Sequence, residues 1–524
     1  MIGLLIQDNA YEQDIRELLM SFYPGETYAH EIKDEVDFYV QTRFAGESAE
    51  IALWERAVEG QAADGNPHLP VPEGLEGWRM SAFSRAFCDL SDHSETKNVI
   101  KQAFYSMLTQ RTGHELPWGS LTGIRPTKIA LSRLEEGWKE EEIRSFMKKT
   151  YLASDEKIDL SIEIASREKR LLEPLDYDRG YSLYVGIPFC PTTCLYCSFT
   201  SYPISRWKGR TGLYLEALFK EMEYVAKKMK GRPLDTIYFG GGTPTSLPAE
   251  DIDAILTRLD RLFDTKNALE FTVEAGRPDS ITEEKLQVLR NHGITRISIN
   301  PQTMNQKTLD LIGRHHTVEM VKETFHMARE LGFDNINMDL IMGLPEEDLD
   351  DVSRTLEEVE ALRPDSLTVH SLAIKRAARL NMFKEEYGGL KISNTPEMIA
   401  LSEASARRLG MEPYYLYRQK NMAGNFENVG YSLPGKACIY NILIMEELQT
   451  IAACGAGTTT KVVFPAENRR ERCENVKEVE QYISRIDEMI GRKERILGDA
   501  YKPASMIFPL ISSKHLQNRK STLQ

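Results

Sequence analysis

The pattern of apolar and polar residues differs between two parts of the chain. From Tyr181 onward, short apolar runs of strand length alternate with amphipathic stretches of helix length, a pattern typical of parallel strand–helix units. The predicted strands are 181–188, 235–240, 269–275, 296–301, 335–342 and 366–374. The predicted helices lie near 213–230, 250–263, 282–292, 317–331, 349–362 and 396–409. Six units rather than eight predict the α/β class and an open, incomplete (β/α)6 barrel.

The segments on either side of the barrel have a less regular pattern. Before it, the predicted elements are strands at 4–7, 37–43 and 51–54, helices at 12–22 and 97–110, a loop at 60–77, a turn at 121–128 and two charged helices, the clearer at 155–170. After it, they are an edge strand at 413–418, a charged helical region at 466–497 and a disordered stretch after 512.

This pattern predicts a chain of several domains, since 524 residues exceed what one core accommodates. The expected parts are an N-terminal α/β domain (1–115), a helical linker (116–178), the barrel (179–410), a C-terminal accessory region (411–512) that is largely helical, and a disordered tail (513–524).

Composition narrows the function classes. The hydrophobic fraction of 41% and the charged fraction of 27% are typical of soluble globular proteins. A net charge of −14 argues against general nucleic-acid binding, which needs a basic surface. The chain has no apolar run of membrane-spanning length, and the early run Gly3–Ile6 is too short for a leader. Seven cysteines without a disulfide framework indicate the reducing cytoplasm.

Three of these cysteines form the most informative motif. Cys190, Cys194 and Cys197 have C-x3-C-x2-C spacing and directly follow the first barrel strand. Three thiolates can hold three irons of a cubane cluster and leave the fourth iron open to another ligand. A zinc site would need a fourth nearby ligand, but the nearest histidines are His114 and His292. An odd number also fits disulfides poorly, so the remaining alternative is a chance group of buried thiols.

A glycine-rich turn follows the second barrel strand. The run Gly240-Gly-Gly-Thr-Pro-Thr245 lets a ligand approach the backbone and exposes N–H groups to a carboxylate. It is not a Walker loop, because no lysine follows, and it lacks the dinucleotide spacing G-x-G-x-x-G. Such a turn alone is more often structural, but its place one strand after the cysteine loop favours ligand binding.

Single polar residues mark the next units. Glu274 ends the third strand, Gln302 follows the fourth, Arg314 lies in the following helical region and Asp339 lies within the fifth strand. Each alone could cap a helix or satisfy backbone groups. Together they place polar side chains around one end of the predicted barrel, and a binding site for an amphipathic small molecule requires such groups.

These motifs resemble those of the radical S-adenosylmethionine (SAM) superfamily. The cysteine triad, the glycine turn, Glu274, Gln302, Arg314 and the run Asp339–Pro345 are similar to its oxygen-independent coproporphyrinogen III oxidase family. The run Tyr184-Val-Gly-Ile-Pro-Phe-Cys and the N-terminal extension look most like the HemZ-type coproporphyrinogen dehydrogenases. The resemblance covers roughly residues 180–460, and the N-terminal part resembles only this subgroup.

The resemblance implies an incomplete barrel of radical SAM type, a [4Fe–4S] cluster on the three cysteines and S-adenosyl-L-methionine bound at the open iron. The implied cofactor-binding residues are Tyr184, Tyr196, Gly241, Gly242, Thr243, Glu274, Gln302, Arg314, Asp339 and Ala373. It further implies that a 5′-deoxyadenosyl radical removes hydrogen from two propionates of coproporphyrinogen III, which gives protoporphyrinogen IX in haem biosynthesis. The implied partners are this tetrapyrrole, or a related one, and an electron donor such as flavodoxin or ferredoxin.

The motifs do not identify the residues that bind the substrate, and they identify no catalytic residue. Propionates pair well with guanidinium groups. Basic candidates by position are Arg125, Lys128, Lys375, Arg376, Arg379 and Arg418, and each could equally be a solvated surface charge.

Two departures from the oxidase pattern keep an alternative open. Phe199 stands where those oxidases carry a fourth cysteine, and Gly186 stands where they carry a histidine. Related haem chaperones on the same scaffold share the phenylalanine but lack the N-terminal domain. Residues 451–457 resemble a glycine turn that is found in both groups. The alternatives are therefore a chaperone that binds and delivers haem, or another radical enzyme. Cys438 and Cys454 are expected to be core thiols.

Overall fold

The chain is built around two large β-sheets. The computed structural model describes residues 1–57, 69, 71–123, 125–177, 179–199, 201–375, 377–419 and 422–500. Most of the predicted loop 60–77, Arg376 and the predicted disordered tail lie outside these residues.

The first sheet has five strands in the order β2-β1-β3-β4-β5. Its strands are β1 (Ile2–Ile6), β2 (Tyr28–Ala29), β3 (Phe38–Ala45), β4 (Ser48–Arg56) and β5 (Trp78–Phe87). Strand β1 is parallel to β2 and β3, whereas β3, β4 and β5 are antiparallel. Helices α1 (Glu12–Phe22) and α2 (His93–Thr112) share an apolar cluster with this sheet. The three predicted strands and two helices are confirmed, and β5 was not predicted.

Three helices, not the two predicted, connect the sheets: α3 (Thr127–Glu135), α4 (Glu140–Tyr151) and α5 (Asp155–Leu172). The chain turns between α3 and α4 at Gly137, whose φ of +88° suits glycine. The Ser154 side chain accepts a hydrogen bond from the backbone of Lys157 and caps α5. These helices bury a cluster of their own, and Lys157 of α5 forms an ion pair with Glu427 in the second half of the chain.

The second sheet contains the barrel strands, in the order β14-β15-β13-β12-β11-β10-β9-β6-β16-β17-β18. The strands of this half of the chain are β6 (Tyr181–Ile187), β7 (Phe189–Cys190), β8 (Tyr202–Pro203), β9 (Leu234–Gly241), β10 (Glu270–Gly276), β11 (Arg296–Ile299), β12 (Ile336–Met342), β13 (Ser366–Ser371), β14 (Glu412–Tyr417), β15 (Asn428–Ser432), β16 (Thr450–Cys454), β17 (Thr459–Phe464) and β18 (Arg469–Glu474). Within the described part of the chain, strands β7 and β8 pair only with each other.

All six predicted barrel strands are present and parallel, and β14 confirms the predicted edge strand. Strand β16 adds a seventh parallel strand, beside β6, that was not predicted. Antiparallel pairs, β14–β15 and β17–β18, flank the parallel strands at the two ends. The result is the incomplete (β/α) barrel expected, extended at both edges.

An outer layer of helices covers the parallel strands. The helices of this half are α6 (Thr211–Lys228), α7 (Ala249–Leu262), α8 (Glu283–Asn291), α9 (Gln306–Leu311), α10 (Val318–Glu330), α11 (Leu349–Leu362), α12 (Arg379–Met382), α13 (Lys384–Tyr387), α14 (Pro396–Arg408), α15 (Ile439–Glu446), α16 (Val479–Ser484) and α17 (Ile486–Ala500). Side chains of Thr282, Thr317, Asp348 and Thr395 cap α8, α10, α11 and α14 close to the predicted starts.

The C-terminal part differs from its prediction. The charged run 466–497 was expected to be helical, but β18 occupies its first part and the helices begin only at Val479. The run Arg469–Glu474 alternates its exposure because it is the outer strand of a hairpin with β17, and an edge strand tolerates many charges. Among the helices that the structure describes, none is long and apolar enough to span a bilayer.

Candidate functional site

A cavity of about 830 Å3 lies at the carboxyl ends of the parallel strands. It brings together all thirteen residues predicted for the cluster and the cofactor. They are Tyr184, Cys190, Cys194, Tyr196, Cys197, Gly241, Gly242, Thr243, Glu274, Gln302, Arg314, Asp339 and Ala373. Parallel strands of such folds present their functional groups at this edge, so the common location has a topological cause.

The cysteine loop is held against the glycine turn by backbone hydrogen bonds. Gly242 N donates to Ile187 O at 2.7 Å, and Thr243 N donates to Phe189 O at 2.7 Å. The hydroxyl of Thr243 also lies 3.4 Å from Cys190 Sγ. A Cβ at Gly242 would lie 2.5 Å from Phe189 O and 3.0 Å from Cys190 Sγ, so only glycine allows this approach.

The three thiols form a donor set that fits the predicted cluster. Burial raises the pKa of Cys190 above its ordinary value and that of Cys197 to about 11. Metal coordination displaces a thiol proton, so loading of this site couples to proton release. Within the described residues, no group of three or more His, Cys, Asp or Glu side chains could hold a single metal ion. Three thiols around one cavity suit several irons that each take one thiolate.

The glutamate of the third strand has an unusual environment. Tyr238 donates its phenol proton to Glu274 Oε1 at 2.6 Å, next to the glycine turn. Burial raises the pKa of Glu274 to about 7, with a smaller upward effect of Asp339, although the Tyr238 hydrogen bond and the Arg296 charge oppose the rise. The side chain therefore changes protonation near neutral pH and can accept hydrogen bonds from a bound ligand when ionised.

Arg314 and Gln302 face the same cavity from the loops after the fourth strand. Arg314 donates to Tyr196 OH at 3.1 Å and to Asn300 O at 2.5 Å, which links it to the cysteine loop. Gln302 has a φ of +69° and pairs with β12, where its N–H donates to Asp339 O at 2.9 Å. A positive φ at a residue other than glycine is strained, and such strained residues cluster at functional sites.

Asp339 is part of a polar group that includes a histidine. Its Oδ1 accepts a hydrogen bond from Asn337 at 2.7 Å, and its Oδ2 lies 3.8 Å from His370 Nε2. Burial opposes ionisation, but the interactions with His370 and Asn337 outweigh it and hold the pKa of Asp339 below its ordinary value. Tyr417 OH lies 3.4 Å from the other ring nitrogen of His370. The carboxylate therefore stays charged at neutral pH.

Sequence reasoning missed several polar side chains of the cavity. Ser298 Oγ, Asn300 Oδ1 and Asn428 Nδ2 are buried and have no hydrogen-bond partner within the described part of the chain. Buried polar atoms normally find partners, so these three atoms fit a polar ligand in the cavity. Ser298 and Asn300 lie at the end of a predicted strand, a position that could have singled them out.

Five tyrosines form an aromatic wall of the cavity. The rings of Tyr238 and Tyr440 stack with centroids 4.4 Å apart, and Tyr184 stacks on Tyr238 at 6.0 Å. Tyr415 and Tyr417 form a second stacked pair at 6.2 Å. All five line the cavity, and their flat faces suit a planar or ring-shaped ligand. Of these five, only Tyr184 was predicted as a site residue.

The six basic residues proposed for substrate have different environments. Lys375 lines the cavity, with Nζ 6.0 Å from the centre of the exposed Phe199 ring. Arg125 donates to Met445 O, and Arg418 donates to Leu121 O and lies over Trp118, so both have other partners. Lys128 and Arg379 do not line this cavity, and Arg376 lies outside the described residues. The lining also includes Arg277, Arg296, Lys461 and Lys477, which were not predicted.

The structure also shows the surroundings of Gly186 and of the two cysteines expected to be core thiols. A Cβ at Gly186 would lie 2.4 Å from Thr458 Cγ2, because the turn after β16 packs closely on β6. A histidine therefore does not fit position 186 in this arrangement. Cys438 and Cys454 are buried free thiols, as expected, and neither lines the cavity.

Comparisons with known proteins agree with the motifs. Residues 184–359 match the family described as the radical SAM superfamily. The oxygen-independent coproporphyrinogen-III oxidase-like protein HemZ of Bacillus subtilis (strain 168) is 43% identical over 433 residues, 82% of this chain and 86% of HemZ. The heme chaperone HemW of the same strain is 37% identical over 37% of this chain and 51% of HemW.

Two further matches are to Escherichia coli proteins. The oxygen-independent coproporphyrinogen III oxidase of strain K12 is 34% identical over 37% of this chain and 42% of the oxidase. Among solved structures, coproporphyrinogen III oxidase (HemN) is 24% identical, with a TM-score of 0.48 over 60% of this chain and 70% of that chain.

Proposed function

Because the chain belongs to the radical SAM family of oxygen-independent coproporphyrinogen III oxidase-like proteins, we propose that it converts coproporphyrinogen III into protoporphyrinogen IX by oxidative decarboxylation of two propionates. The cofactors are a [4Fe–4S] cluster and S-adenosyl-L-methionine, which together supply a 5′-deoxyadenosyl radical when bound. The proposal rests mainly on one cavity, which is lined by the three thiols, the glycine turn and the aromatic wall. The polar residues Glu274, Gln302, Arg314 and Asp339 line the same cavity.

The thirteen predicted residues have distinct roles in this proposal. Cys190, Cys194 and Cys197 would each hold one iron, and the backbone of the glycine turn would contact the methionine end of the cofactor. The other polar edges of S-adenosylmethionine would bind Glu274, Gln302, Arg314 and Asp339, which line the same cavity. Tyr184, Tyr196 and Ala373 would pack against it. Charged and polar groups already fixed in the protein stabilise such a ligand without reorganisation at the moment of reaction.

The tyrosines and lysines of the cavity lining suit a large anionic ring. The stacked tyrosines offer flat apolar faces, and Lys375 and Lys477 place ammonium groups along the lining, whereas Lys461 is paired with Glu447. Ammonium groups pair with propionate carboxylates. The surrounding sheet and helices would exclude water and competing hydrogen donors from the radical. We also propose a cytoplasmic location and an electron donor of the flavodoxin or ferredoxin type.

A second candidate is a chaperone that binds and delivers haem. The observation that favours it is Phe199, which stands in place of a fourth cysteine and exposes most of its ring at the cavity. A planar porphyrin could stack on such a ring. The similarity to the heme chaperone HemW covers only about a third of this chain, whereas that to HemZ covers most of it, so decarboxylation is the preferred proposal.

One anaerobic assay separates the two candidates. The reconstituted protein is incubated with S-adenosylmethionine, a one-electron reductant and coproporphyrinogen III, and both 5′-deoxyadenosine and protoporphyrin (after oxidation) are quantified. The proposal predicts both products, and Lys375→Met should lower protoporphyrin formation more than deoxyadenosine formation. Deoxyadenosine without protoporphyrin, together with tight haem binding and a shifted Soret band, would favour the chaperone.

A further inference from the structure

Arg277 connects the third barrel strand to the cysteine loop. The residue directly follows β10 and is only 3% exposed. Its Nη1 donates to Thr192 Oγ1 at 2.7 Å and to Thr192 O at 3.2 Å. The same nitrogen lies 3.8 Å from Cys194 Sγ and is oriented to donate to it. A guanidinium therefore lies against one of the three thiols, and neither motif spacing nor hydrophobic pattern predicted it.

The opposite edge of this guanidinium is occupied by an acid. Arg277 Nε donates to Asp279 Oδ1 at 2.9 Å, and Nη2 donates to Asp279 Oδ2 at 2.6 Å. Burial alone would raise the pKa of Asp279, but the hydrogen bonds and charge of Arg277 outweigh it and hold this pKa below its ordinary value. The pair is therefore ionised, and its two-pronged geometry fixes which edge of Arg277 faces the thiol.

We propose that Arg277, held by Asp279, raises the reduction potential of the iron–sulfur cluster by donating an N–H group to the Cys194 thiolate. This inference rests on one part of the proposed function, namely that Cys194 is a cluster ligand. It does not depend on which substrate the radical attacks.

The sign of the effect follows from charge. Reduction adds one electron to the cluster, and part of that charge resides on the thiolate sulfurs, so a nearby cation stabilises the reduced form more than the oxidised form. A buried cation acts with little screening. Asp279 partly offsets the positive charge, so substitutions at the two positions should shift the potential in opposite directions. Hydrogen bonds to ligand sulfurs are among the known determinants of cluster potentials.

A purely structural role for Arg277 makes a different prediction. The guanidinium also clamps the cysteine loop through Thr192, whose hydroxyl donates to Gly313 O at 3.1 Å. If clamping were the whole role, loss of Arg277 would reduce the amount of cluster bound, and loss of Asp279 would do the same. Neither would give shifts of opposite sign in the potential of the cluster that remains.

The test is a redox titration of the cluster, without substrate. The cluster is reconstituted in the wild type, Arg277→Lys, Arg277→Met and Asp279→Asn, and the midpoint potential is read from the EPR signal of the reduced cluster. The matched controls are Arg258→Met and Glu223→Gln, which change the same charges in a surface ion pair on α7 and α6. We expect Arg277→Met to lower the potential, Asp279→Asn to raise it, Arg277→Lys to give a value between those of the wild type and Arg277→Met, because the charge is kept but the two-pronged contact is lost, and both controls to leave it unchanged.

Several results would overturn the inference. An unchanged or higher potential in Arg277→Met with full cluster content would do so, as would a lower or unchanged potential in Asp279→Asn. If Arg277→Met fails to hold a cluster, the direction of the Asp279→Asn shift decides. A Cys194→Ala protein with a complete cluster would instead refute the ligand assignment on which the inference depends. Failure to decarboxylate coproporphyrinogen III would refute the proposed substrate and leave the potential shifts as predicted.

Discussion

Lys493 of α17 and Glu221 of α6 form a completely buried ion pair, with Nζ 2.6 Å from Oε1. The second carboxylate oxygen of Glu221 accepts hydrogen bonds from Gly455 N at 2.7 Å and from Tyr482 OH at 2.6 Å. The turn that Gly455 begins continues into Ala456, Gly457 and Thr458, which line the cavity. The last described helix is therefore attached directly to a wall of the proposed cofactor site.

Loss of one partner of this pair should destabilise the protein strongly. Lys493→Met leaves a carboxylate buried without its cation, a change that typically costs about 3–5 kcal/mol. Urea denaturation of the ligand-free protein measures this difference in the free energy of unfolding. Lys220 and Asp487 form an exposed ion pair between the same two helices, so Lys220→Met is the matched control and should cost about 1 kcal/mol or less. Equal losses in both variants would show that the buried pair has no special structural role.

The raised pKa of Glu274 should make cofactor binding depend on pH. Because this pKa is about 7, the carboxylate is mostly protonated at lower pH and accepts hydrogen bonds less well. We expect the affinity for S-adenosylmethionine to fall as the pH drops through about 7 and to be weaker and nearly independent of pH over this range in Glu274→Gln. Calorimetric titrations of the reconstituted protein at several pH values test this, and an unchanged pH dependence in Glu274→Gln would refute it.

The same group has an opposite effect on the stability of the ligand-free fold. Its pKa is higher in the folded state than the ordinary value of 4.5, so the folded protein retains a proton that the unfolded chain has lost. Its stabilising contribution is therefore present below about pH 4.5 and is lost as the pH rises through about 7. Above that pH, Glu274→Gln should be more stable than the wild type. Denaturation midpoints on both sides of this range test the sign, and a less stable variant at high pH would contradict it.

Gly242 should not tolerate even a methyl group. In Gly242→Ala the new Cβ would collide with Phe189 O and press on Cys190 Sγ, so the cysteine loop would have to move. Overpacking of this kind typically costs about 1–3 kcal/mol, and we expect less iron bound per protein. Gly212 at the start of α6 has open space around it, so Gly212→Ala is the control and should bind iron normally. Iron and sulfide analysis after reconstitution compares the two, and full occupancy in Gly242→Ala would contradict the tight approach.

Each cysteine of the triad should be necessary for the cluster. Replacing Cys190, Cys194 or Cys197 by alanine removes one of three iron ligands, and we expect the visible absorbance and the EPR signal of the cluster to be lost. Cys88 is a buried free thiol in the first half of the chain, and Cys88→Ala should retain both signals. If one triad variant kept the complete cluster, that cysteine would not be a ligand.

The barrel could be predicted from the sequence because its strands and helices leave local patterns, whereas the thirteen site residues were predicted from local motifs together with their resemblance to the radical SAM superfamily. Parallel strands buried on both faces are nearly continuous apolar runs, as in β6, and their helices begin at recognisable caps such as Thr317 and Asp348. The residues that follow each strand then converge at one edge by topology.

The remaining features depend on pairing between distant segments. Strand β16 joins the sheet beside β6, which comes much earlier in the chain, and the hairpin β17–β18 then extends that edge. Strand β5 was missed because it buries few side chains and alternates poorly. The aromatic wall and the contact of Arg277 with Cys194 arise from several strands and loops at once. The local pattern of apolar and polar residues does not predict contacts between segments that lie far apart in the sequence.

In the proposed reaction, a radical generated in this cavity takes hydrogen from a propionate of coproporphyrinogen III. The most direct measurement is anaerobic turnover with coproporphyrinogen III that carries deuterium on its propionate side chains, followed by mass spectrometry of the 5′-deoxyadenosine. We expect deuterium in the 5′-deoxyadenosine and a parallel gain of protoporphyrin. Unlabelled 5′-deoxyadenosine and no protoporphyrin would contradict it.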